Sequence, residues 1–312
     1  MYTKDAMQAN LGFAVKQTSH VESEVYKIRY PDLDYASLIP VDTSAHPFAK
    51  TVTYYSMDGT GRADWVNGNG KDVPTVATSL QEHETQVYTA GISYEFGYEE
   101  MMQAQKLGIN LTTDKAAYAR RAYEQMIYDV ALIGDPSKGF QGLLNHSDVA
   151  AAPAAATGTG NSTAWADKSA DMIVNDFNAG LIGINRATRT VELADTVLLP
   201  VTAIQELSSR RVPDTAMSIL QYIKANNAYT GQTNGRPITI QASRELEEAG
   251  VGGTRRMMTY RKSPDVVKLH IPMMLRFMQV QIQVFNYVVP GMFRLGGVDF
   301  RLPGAATYQD GI

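Results

Sequence analysis

Histidines are the first candidates for catalysis or metal binding in this sequence, because imidazole both ligates metals and transfers protons near neutral pH. The five are His20, His46, His83, His146 and His270. None belongs to a His-Glu-x-x-His pair or to another spacing typical of metal ligands. His83 lies between Glu82 and Glu84, but neighbouring residues of a strand point to opposite faces, so this run is interpreted as a solvated charged segment.

Motifs typical of covalent catalysis or of nucleotide binding do not occur in this sequence either. The chain has no cysteine, which excludes disulfides, thiolate metal sites and a cysteine nucleophile. It also lacks a Gly-x-Ser-x-Gly elbow and a dinucleotide-binding fingerprint. The short run Gly158-Thr159-Gly160 has no accompanying lysine, so it is not interpreted as a phosphate-binding loop.

Carboxylates and methionines complete the search for a site. Glu245, Glu247 and Glu248 could serve acid–base catalysis, yet their pattern favours the exposed face of a turn or short helix. The pairs Met257-Met258 and Met273-Met274 are interpreted as adaptable packing at interfaces. The sequence therefore predicts no catalytic, cofactor-binding or metal-binding residue, and a carboxylate-dependent hydrolase stays as a distant alternative.

Length and composition indicate a folded protein of ordinary size. Of the 312 residues 44% are apolar, which is enough to build a substantial core. A net charge of −4 and a pI near 5.8 lack the basic excess of phosphate-neutralising proteins, so DNA binding is not expected to be the main role. No apolar signal core and no apolar stretch of about 18 residues occurs, so a soluble, unexported protein is expected.

A long polar β-hairpin is predicted from residue 50 onward. Apolar and aromatic residues recur at strand spacing from Lys50 to Met57, and turn signals follow at 58–61 and 67–70. The returning strand is predicted at 84–96, paired with the first strand in an antiparallel ribbon. A two-stranded ribbon is marginal in water and leaves its edges bare, so it is expected to lie on another surface. An ordinary hairpin in the sheet of a globular enzyme is the alternative.

A helix of about five turns is predicted next, at 113–133, and would be roughly 32 Å long. Thr112 or Thr113 can cap its N-terminus, and Gly134 and Pro136 end it. Apolar residues at steps of three and four predict one buried stripe. They are Ala116, Ala119, Tyr123, Met126, Val130 and Ile133. A core helix of any α+β domain would explain this stripe equally well.

A glycine-rich turn follows this helix and contains Gly142-Leu143-Leu144-Asn145. The order of hairpin, long helix and turn resembles the major capsid proteins of tailed phages, whose Hong Kong 97-type fold is shared with encapsulins. Three further segments resemble one major capsid family of that class, formerly catalogued as a domain of unknown function. They are Leu38-Ile39-Pro40-Val41, the segment 99–108, and the tail 296–303 with Asp310-Gly311-Ile312. The resemblance is strongest over 38–146 and the C-terminal tail.

The resemblance implies an α+β fold divided into four parts. The N-terminal arm would span 1–48, and the extended hairpin, called the E-loop, would span 49–97. A peripheral domain with the long helix would comprise 98–164 and 269–312, and an axial domain 165–268. In the arm, a short helix is expected at 6–15, and apolar anchors such as Tyr26, Ile28 and Tyr35 indicate a partner surface rather than a disordered leader.

Local patterns after residue 150 indicate a mixture of helices and strands. The alanine-rich segment 150–161 is expected to be a connector. Helices are predicted at 169–188, 202–210 and 215–225, strands at 196–200 and 238–242, and a candidate axial loop at 226–235. Near the C-terminus Met278, Val280, Ile282 and Val284 alternate with glutamines, which predicts a strand with one buried and one polar face.

The implied function is structural, without an enzymatic activity or a cofactor. Copies would form hexamers and pentamers of an icosahedral head around double-stranded DNA, and portal, scaffold and decoration proteins are the implied partners. DNA contacts would be non-specific, no membrane is involved, and the protein would reside in the virion after assembly in the host cytoplasm. An encapsulin-like compartment shell is the alternative.

Two smaller expectations concern contacts between copies. Basic doublets could fix register by meeting acidic patches on a neighbour, or could line the interior. They are Arg120-Arg121, Arg210-Arg211, Arg255-Arg256 and Arg261-Lys262. Lys71 at the hairpin tip has the position of a crosslinking lysine known in one branch of the fold, but no acceptor is identified.

Overall fold

The computed structural model describes residues 30–65, 73–107 and 111–312. The chain divides into two units, 1–33 and 34–312, and nearly all of the described structure belongs to the second. The expected helix at 6–15, the turn signal at 67–70 and Lys71 lie outside the described residues. Within the described ranges, no helix has both the length and the apolar character that a membrane span requires.

Seven α-helices occur in these ranges, and most begin at a side-chain cap. They are α1 Tyr35–Leu38, α2 Tyr98–Leu107, α3 Leu111–Leu132, α4 Ala170–Ala187, α5 Val201–Ser209, α6 Ile219–Ala225 and α7 Ala228–Gln232. Ser169 caps α4, and Ser218 with Gln221 forms a capping box at α6. The predicted loop at 226–235 contains α7, because the Asn227 side chain accepts a hydrogen bond from the N–H of Thr230 at 2.8 Å.

The strands form several small sheets. They are β1 Val41–Asp42, β2 Thr51–Thr60, β3 Ala77–Gln86, β4 Tyr88–Gly97, β5 Gly134–Asp135, β6 Phe140–Gln141, β7 Ala150–Pro153, β8 Thr196–Leu199, β9 Thr239–Ala242, β10 Arg256–Tyr260, β11 Val267–His270, β12 Met273–Phe277, β13 Gln281–Gln283, β14 Asn286–Leu295, β15 Val298–Phe300 and β16 Ala306–Asp310. One sheet has the order β7-β16-β10-β8-β9, and another has the order β1-β11-β15. In a third, β14 pairs with β4 along one edge and with β12 and β13 along the other.

The predicted hairpin forms, but its returning strand is a different segment. β2 pairs with β3 in antiparallel register, from Thr51 opposite Gln86 to Thr60 opposite Ala77. The returning strand of the ribbon therefore ends at residue 86. The segment predicted to return becomes β4 and pairs with β14 over its whole length. There the ring of Phe96 stacks on that of Tyr287, with centroids 5.4 Å apart. The prediction was wrong because alternation marks any half-buried strand, and the apolar face of β4 gains more burial in the larger sheet.

The long helix α3 packs its apolar side against this β4–β14 sheet. Tyr123 meets Phe293 edge to face, with ring centroids 4.8 Å apart. Half of the predicted stripe is buried, but Met126 and Ile133 are 39% and 47% exposed, whereas Ile127 is completely buried. Apolar residues at steps of three and four can define two neighbouring stripes on this helix, one through Met126 and one through Ile127. The stripe through Ile127 is the one that is buried.

The glycine-rich turn after α3 is the tight hairpin of β5 and β6, and its geometry requires glycine. Gly134 has a φ of +87°, and a Cβ on Gly142 would lie 2.2 Å from the carbonyl oxygen of Leu132. The Asn145 side chain closes the turn, donating to the carbonyl of Ile133 at 2.6 Å and accepting from the N–H of Gly142 at 2.8 Å. The Gly-Leu-Leu-Asn segment is therefore a folding element.

The segment Leu-Ile-Pro-Val at 38–41 also has a structural role. Leu38 and Ile39 are buried, and the Tyr260 hydroxyl donates to the Leu38 carbonyl at 2.6 Å. Directly after them, β1 pairs in parallel with β11. This segment of the chain thereby ties the N-terminal side of the compact unit to two of its sheets.

The five-stranded sheet and helices α4 to α6 share one apolar core. All four residues of β8 are buried, as its sequence predicts, and Phe177 and Leu207 pack in the same cluster. The segment expected to be a connector contributes β7, which pairs in parallel with β16. An ion pair of Lys168 and Asp176, 2.5 Å apart, is enclosed beside this core.

Candidate assembly surfaces

The histidines do not converge in the described part of the chain. His83 lies on the ribbon, whereas His270 is buried in β11 with its ring nitrogens 3.6 Å and 3.5 Å from the carboxylates of Asp42 and Asp299. No group of three or more His, Cys, Asp or Glu in these ranges could hold a metal ion. His20 lies outside the described residues.

Two of the three candidate carboxylates stabilise the fold instead of facing solvent. Glu247 accepts hydrogen bonds from the N–H of Thr202 at 2.9 Å and from its hydroxyl at 2.7 Å. It thereby caps α5, whose own preceding residue provides no side-chain cap. Glu245 pairs with Arg244 at 2.6 Å, and of the three only Glu248 is exposed, as expected.

The methionine pairs have different roles from those expected. Met257 and Met258 are completely buried in β10, so the interface prediction is wrong for this pair. They belong to the core because β10 lies at the centre of its sheet. Met273 is also buried, whereas Met274 is 58% exposed and remains a candidate interface residue.

The β2–β3 ribbon has two unlike faces, and one of them anchors it to its own chain. On that face Tyr54 and His83 pair across the strands and stack with ring centroids 4.8 Å apart. Ser56 Oγ is 3.0 Å from a ring nitrogen of His83, and the guanidinium of Arg301 lies 4.7 Å from the Tyr54 ring centroid. Burial, helped by the Asp299 carboxylate, raises the pKa of Tyr54, so its phenol stays neutral at physiological pH.

The opposite face of the ribbon carries an exposed apolar patch beside Glu82, which lies directly opposite Tyr55. Alternation places Tyr55, Met57 and Leu80 on it, with Met57 directly opposite Leu80. These side chains are 61%, 72% and 59% exposed, and Trp65 beyond the strand is completely exposed. Large apolar side chains grouped in this way make the patch a candidate contact surface.

A second uncovered apolar surface lies at the β13–β14 hairpin. Val280, Ile282 and Val284 are 52%, 72% and 86% exposed, and Phe285 is 77% exposed. The predicted buried face of this strand is therefore not buried within the single chain. The strand prediction is correct only for 281–283, since 278–280 lies outside the strands and Val284 lies in the loop with a φ of +56°. No other part of the described chain covers this end of the sheet.

Most of the basic doublets engage acceptors in their own chain. Arg255 lies 3.1 Å from Glu206, Arg256 pairs with Asp310, and Arg261 pairs with Glu192. Arg210 donates to the carbonyl of Trp165 at 2.7 Å. These arginines therefore contribute mainly to the fold, and apolar surfaces are the stronger candidates for contacts between copies.

The sequence matches the family model described as Major capsid protein over residues 61–312. The chain belongs to this family. The resemblance to major capsid proteins is thereby confirmed, and the protein has a structural role in a capsid. No match to its sequence was found among curated proteins.

Solved structures share the fold of this major capsid protein. The capsid of Myoviridae phage XM1 has a TM-score of 0.78 at 20% identity, covering 95% of this chain and 98% of the other. The capsid of an empty GTA particle has a TM-score of 0.64 at 10% identity, covering 95% of both chains. A virus-like particle from Pyrococcus furiosus has a TM-score of 0.50 at 8% identity, covering 89% of this chain and 95% of the other. The predicted Hong Kong 97-type α+β fold is confirmed.

Proposed function

We propose that copies of this major capsid protein form hexamers and pentamers that close an icosahedral head around the double-stranded DNA of a tailed phage. Besides the family, the observation that carries this proposal is the β2–β3 ribbon. Two strands of ten residues form it, and one face carries an apolar patch of Tyr55, Met57 and Leu80 that the described part of the chain leaves exposed. A ribbon of two strands is marginal in water, so a neighbouring copy supplies the surface that stabilises it.

The division into domains forms part of the proposal. The arm comprises 1–48, the E-loop 49–97, the peripheral domain 98–164 with 269–312, and the axial domain 165–268. The paired ribbon, 51–86, lies within the E-loop, whereas β4, which this division also assigns to the E-loop, joins the sheet of the peripheral domain through β14. β7 and β16 join the sheet of the axial domain although their residue numbers assign them to the peripheral domain. The boundary between these domains therefore passes through a continuous sheet.

In this proposal the protein acts through its surfaces and has no catalytic site or cofactor. The candidate Glu245 and Glu247 are engaged in an ion pair and a helix cap, which gives them a structural reason to be present. The net charge of −4 is consistent with DNA contacts that are at most non-specific. Assembly in a reducing host cytoplasm fits a chain without cysteine. Portal, scaffold and decoration proteins are the proposed partners.

An encapsulin-like compartment shell has the same fold and was the alternative. The match to the major capsid protein family favours the phage head. Purified shells would distinguish the two, because a compartment shell encloses protein cargo and a phage head encloses DNA after packaging.

The test is assembly of the full-length chain expressed in bacteria. Size-exclusion chromatography across a range of salt concentrations, followed by negative-stain electron microscopy of the largest species, should show closed shells, capsomer rings or sheets. The same experiment with a co-expressed phage scaffold protein tests whether assembly requires that partner. A monodisperse monomer under all these conditions would contradict the proposal.

A further inference from the structure

His270 is a buried titratable residue whose ring lies between two carboxylates. It belongs to β11 and is 1% exposed. Its Nδ1 lies 3.6 Å from Oδ2 of Asp42 in β1, and its Nε2 lies 3.5 Å from Oδ2 of Asp299 in β15. Neither ring nitrogen makes a hydrogen bond within the described ranges, and the same is true of the Asp299 oxygen. Buried polar atoms without partners are rare in folded proteins, so this arrangement requires a physical reason.

The two carboxylates favour one protonation state of the ring. A neutral imidazole has one N–H and one lone pair, so one of its nitrogens would direct a lone pair at a carboxylate oxygen about 3.5 Å away. An imidazolium has two N–H groups and attracts both carboxylates. Electrostatic interactions are stronger inside a protein than in water, so the buried position of the ring favours the imidazolium.

Asp42 is ionised, as this arrangement requires. Its Oδ1 accepts hydrogen bonds from the N–H of Ser44 at 2.9 Å and from the Ser44 hydroxyl at 2.6 Å, which leaves Oδ2 to face the ring. Burial opposes ionisation, but these hydrogen bonds and the positive charges of His270 and Lys268 lower the pKa of Asp42 on balance. One of the two groups that face the ring is therefore negative near neutral pH.

Two further cations lie beside the carboxylates. Nζ of Lys268 is 3.7 Å from Asp42, and Nε of Arg301 is 3.6 Å from Asp299. Their side chains are 19% and 26% exposed, so solvent and ions screen their repulsion of a positive ring. The ring itself is enclosed, and its attraction to the two carboxylates is screened less.

The titratable neighbours of Asp299 do not change charge above neutral pH. Burial lowers the pKa of His146, although Asp148 and Asp299 oppose this effect, so that ring is neutral above about pH 7. Burial raises the pKa of Tyr54, whose phenol is neutral as well. A change of charge at this site between about pH 7 and about pH 8.5 is therefore assigned to His270.

The ring connects a very short strand to the rest of its sheet. β1 has two residues and pairs in parallel with β11, whose other neighbour is β15. The N–H of Leu269 donates to the carbonyl of Pro40 at 2.9 Å. The N–H of Ile271 donates to the carbonyl of Asp42, also at 2.9 Å. Each such hydrogen bond adds only about 1 kcal/mol net, so the side-chain contact of Asp42 contributes to holding β1 in place.

We propose that His270 holds both ring protons in the folded chain at neutral pH, and that this imidazolium joins β1 and β15 across β11. At alkaline pH the ring releases one proton to solvent, a lone pair then faces a buried carboxylate, and β1 separates from the sheet more often. β1 responds because only two residues pair it with β11. This inference concerns the single chain and goes beyond the proposed function.

The first test counts the ring protons directly. The unassembled full-length chain is labelled with ¹⁵N-histidine and observed by NMR at about pH 7.5, where a free imidazole is about nine-tenths neutral. Both ring nitrogens of His270 should carry a proton. Their signals are assigned by their loss in His270→Gln or, if that variant does not fold, by elimination with single glutamine variants of the other four histidines. One unprotonated nitrogen at this pH would overturn the proposal.

The second test measures how this proton is linked to folding. A folded state that keeps a proton which the unfolded chain releases loses stability as the pH rises above about 6.5. From about pH 7 to about pH 8, the unfolding equilibrium constant of the wild type should rise up to about tenfold more than that of His270→Gln. Chemical denaturation of the unassembled chain provides both constants. An equal pH dependence of the two proteins would contradict the proposal, and His46→Gln, at an exposed histidine, is the control that should match the wild type.

Hydrogen exchange identifies the strand that responds. The amide protons of Leu269 and Ile271 report on the pairing of β11 with β1. Their protection, corrected for the intrinsic effect of pH on exchange, should fall about tenfold between about pH 7 and about pH 8.5, whereas amides of the central strand β10 should keep theirs. If the ring loses its proton and the protection of Leu269 and Ile271 does not change, the role assigned to β1 is wrong.

The outcomes are independent of the proposed function. All three measurements use the unassembled chain, so a failure to form shells leaves them unaffected. A neutral ring in the NMR test would overturn this inference and leave assembly of the capsid as proposed.

Discussion

Arg256 and Asp310 form a buried ion pair with two hydrogen bonds, from Nε at 2.6 Å and from Nη2 at 2.9 Å. The remaining terminal nitrogen of Arg256 donates to the carbonyl of Leu144 at 2.7 Å, and its guanidinium lies 4.5 Å from the Tyr308 ring centroid. One side chain thus joins the C-terminal strand, the central strand β10 and the turn after the long helix. Three segments far apart in sequence depend on this contact.

The Asp310→Asn variant is expected to destabilise the folded chain strongly. It leaves the buried guanidinium of Arg256 without a counter-charge, and breaking such a pair from one side costs about 3 kcal/mol or more. Chemical denaturation of the unassembled chain measures the free energy of unfolding. Asp265→Asn, at an exposed carboxylate, is the control and should change it by less than about 0.5 kcal/mol. Equal effects of the two variants would contradict the assigned role of the pair.

Neighbouring positions of α3 should respond in opposite ways to a charge. Ile127 is completely buried against the sheet, so Ile127→Asp places an unpaired carboxylate in the core and should abolish soluble expression. Met126, one residue earlier, is 39% exposed, and Met126→Asp should yield a soluble folded chain. Circular dichroism of the soluble fractions provides the comparison. If both variants are insoluble, the position of Met126 also belongs to the buried side of the helix, which contradicts the assigned stripe.

Substitutions on the two faces of the ribbon should separate assembly from folding. Met57→Ser with Leu80→Ser removes a directly opposed apolar pair from the uncovered face. This double variant should fold normally but form shells about tenfold less efficiently, because the surface offered to a neighbour loses its apolar area. Asp58→Asn with Ser79→Ala alters a directly opposed, exposed pair on the other face and is the matched control. Electron microscopy of equal amounts of protein counts the shells.

The stability of the chain should fall as the pH drops below about 6.5, partly through His146. Burial lowers the pKa of His146, although the carboxylates of Asp148 and Asp299 oppose this effect. A ring with a lowered pKa in the folded state binds its proton more readily when unfolded, so acid favours unfolding. His146→Gln should reduce the difference in melting temperature between about pH 7.5 and about pH 5.5.

The control for this pH dependence is His46→Gln, at an exposed histidine. Its difference in melting temperature between the two pH values should match that of the wild type. If His146→Gln keeps the full wild-type difference, His146 does not contribute to the acid sensitivity of the fold.

Local signals in the sequence were sufficient for much of the secondary structure. The caps and periodicity of α4, the apolar run of β8 and the C-terminal end of α3 are encoded in residues close together in the chain. The predicted N-cap of α3 was wrong, because the helix begins at Leu111 and includes both Thr112 and Thr113. The family was predicted from the resemblance of the hairpin, helix and Gly-Leu-Leu-Asn turn, with three further segments, to known major capsid proteins. The structure shows that Gly134, Gly142 and Asn145 form that turn.

Pairing partners and burial could not be derived in the same way. The sequence alone determined that β2, β4 and β13 are strands with alternating faces, since alternation depends only on neighbouring residues. Only the tertiary structure decided that β4 joins β14 instead of the ribbon, that the helix turns Ile127 and not Met126 inward, and that Val284 and Phe285 remain uncovered. These outcomes depend on which surfaces meet across long separations in the chain, and the free energy of that burial belongs to the pair of surfaces rather than to either segment.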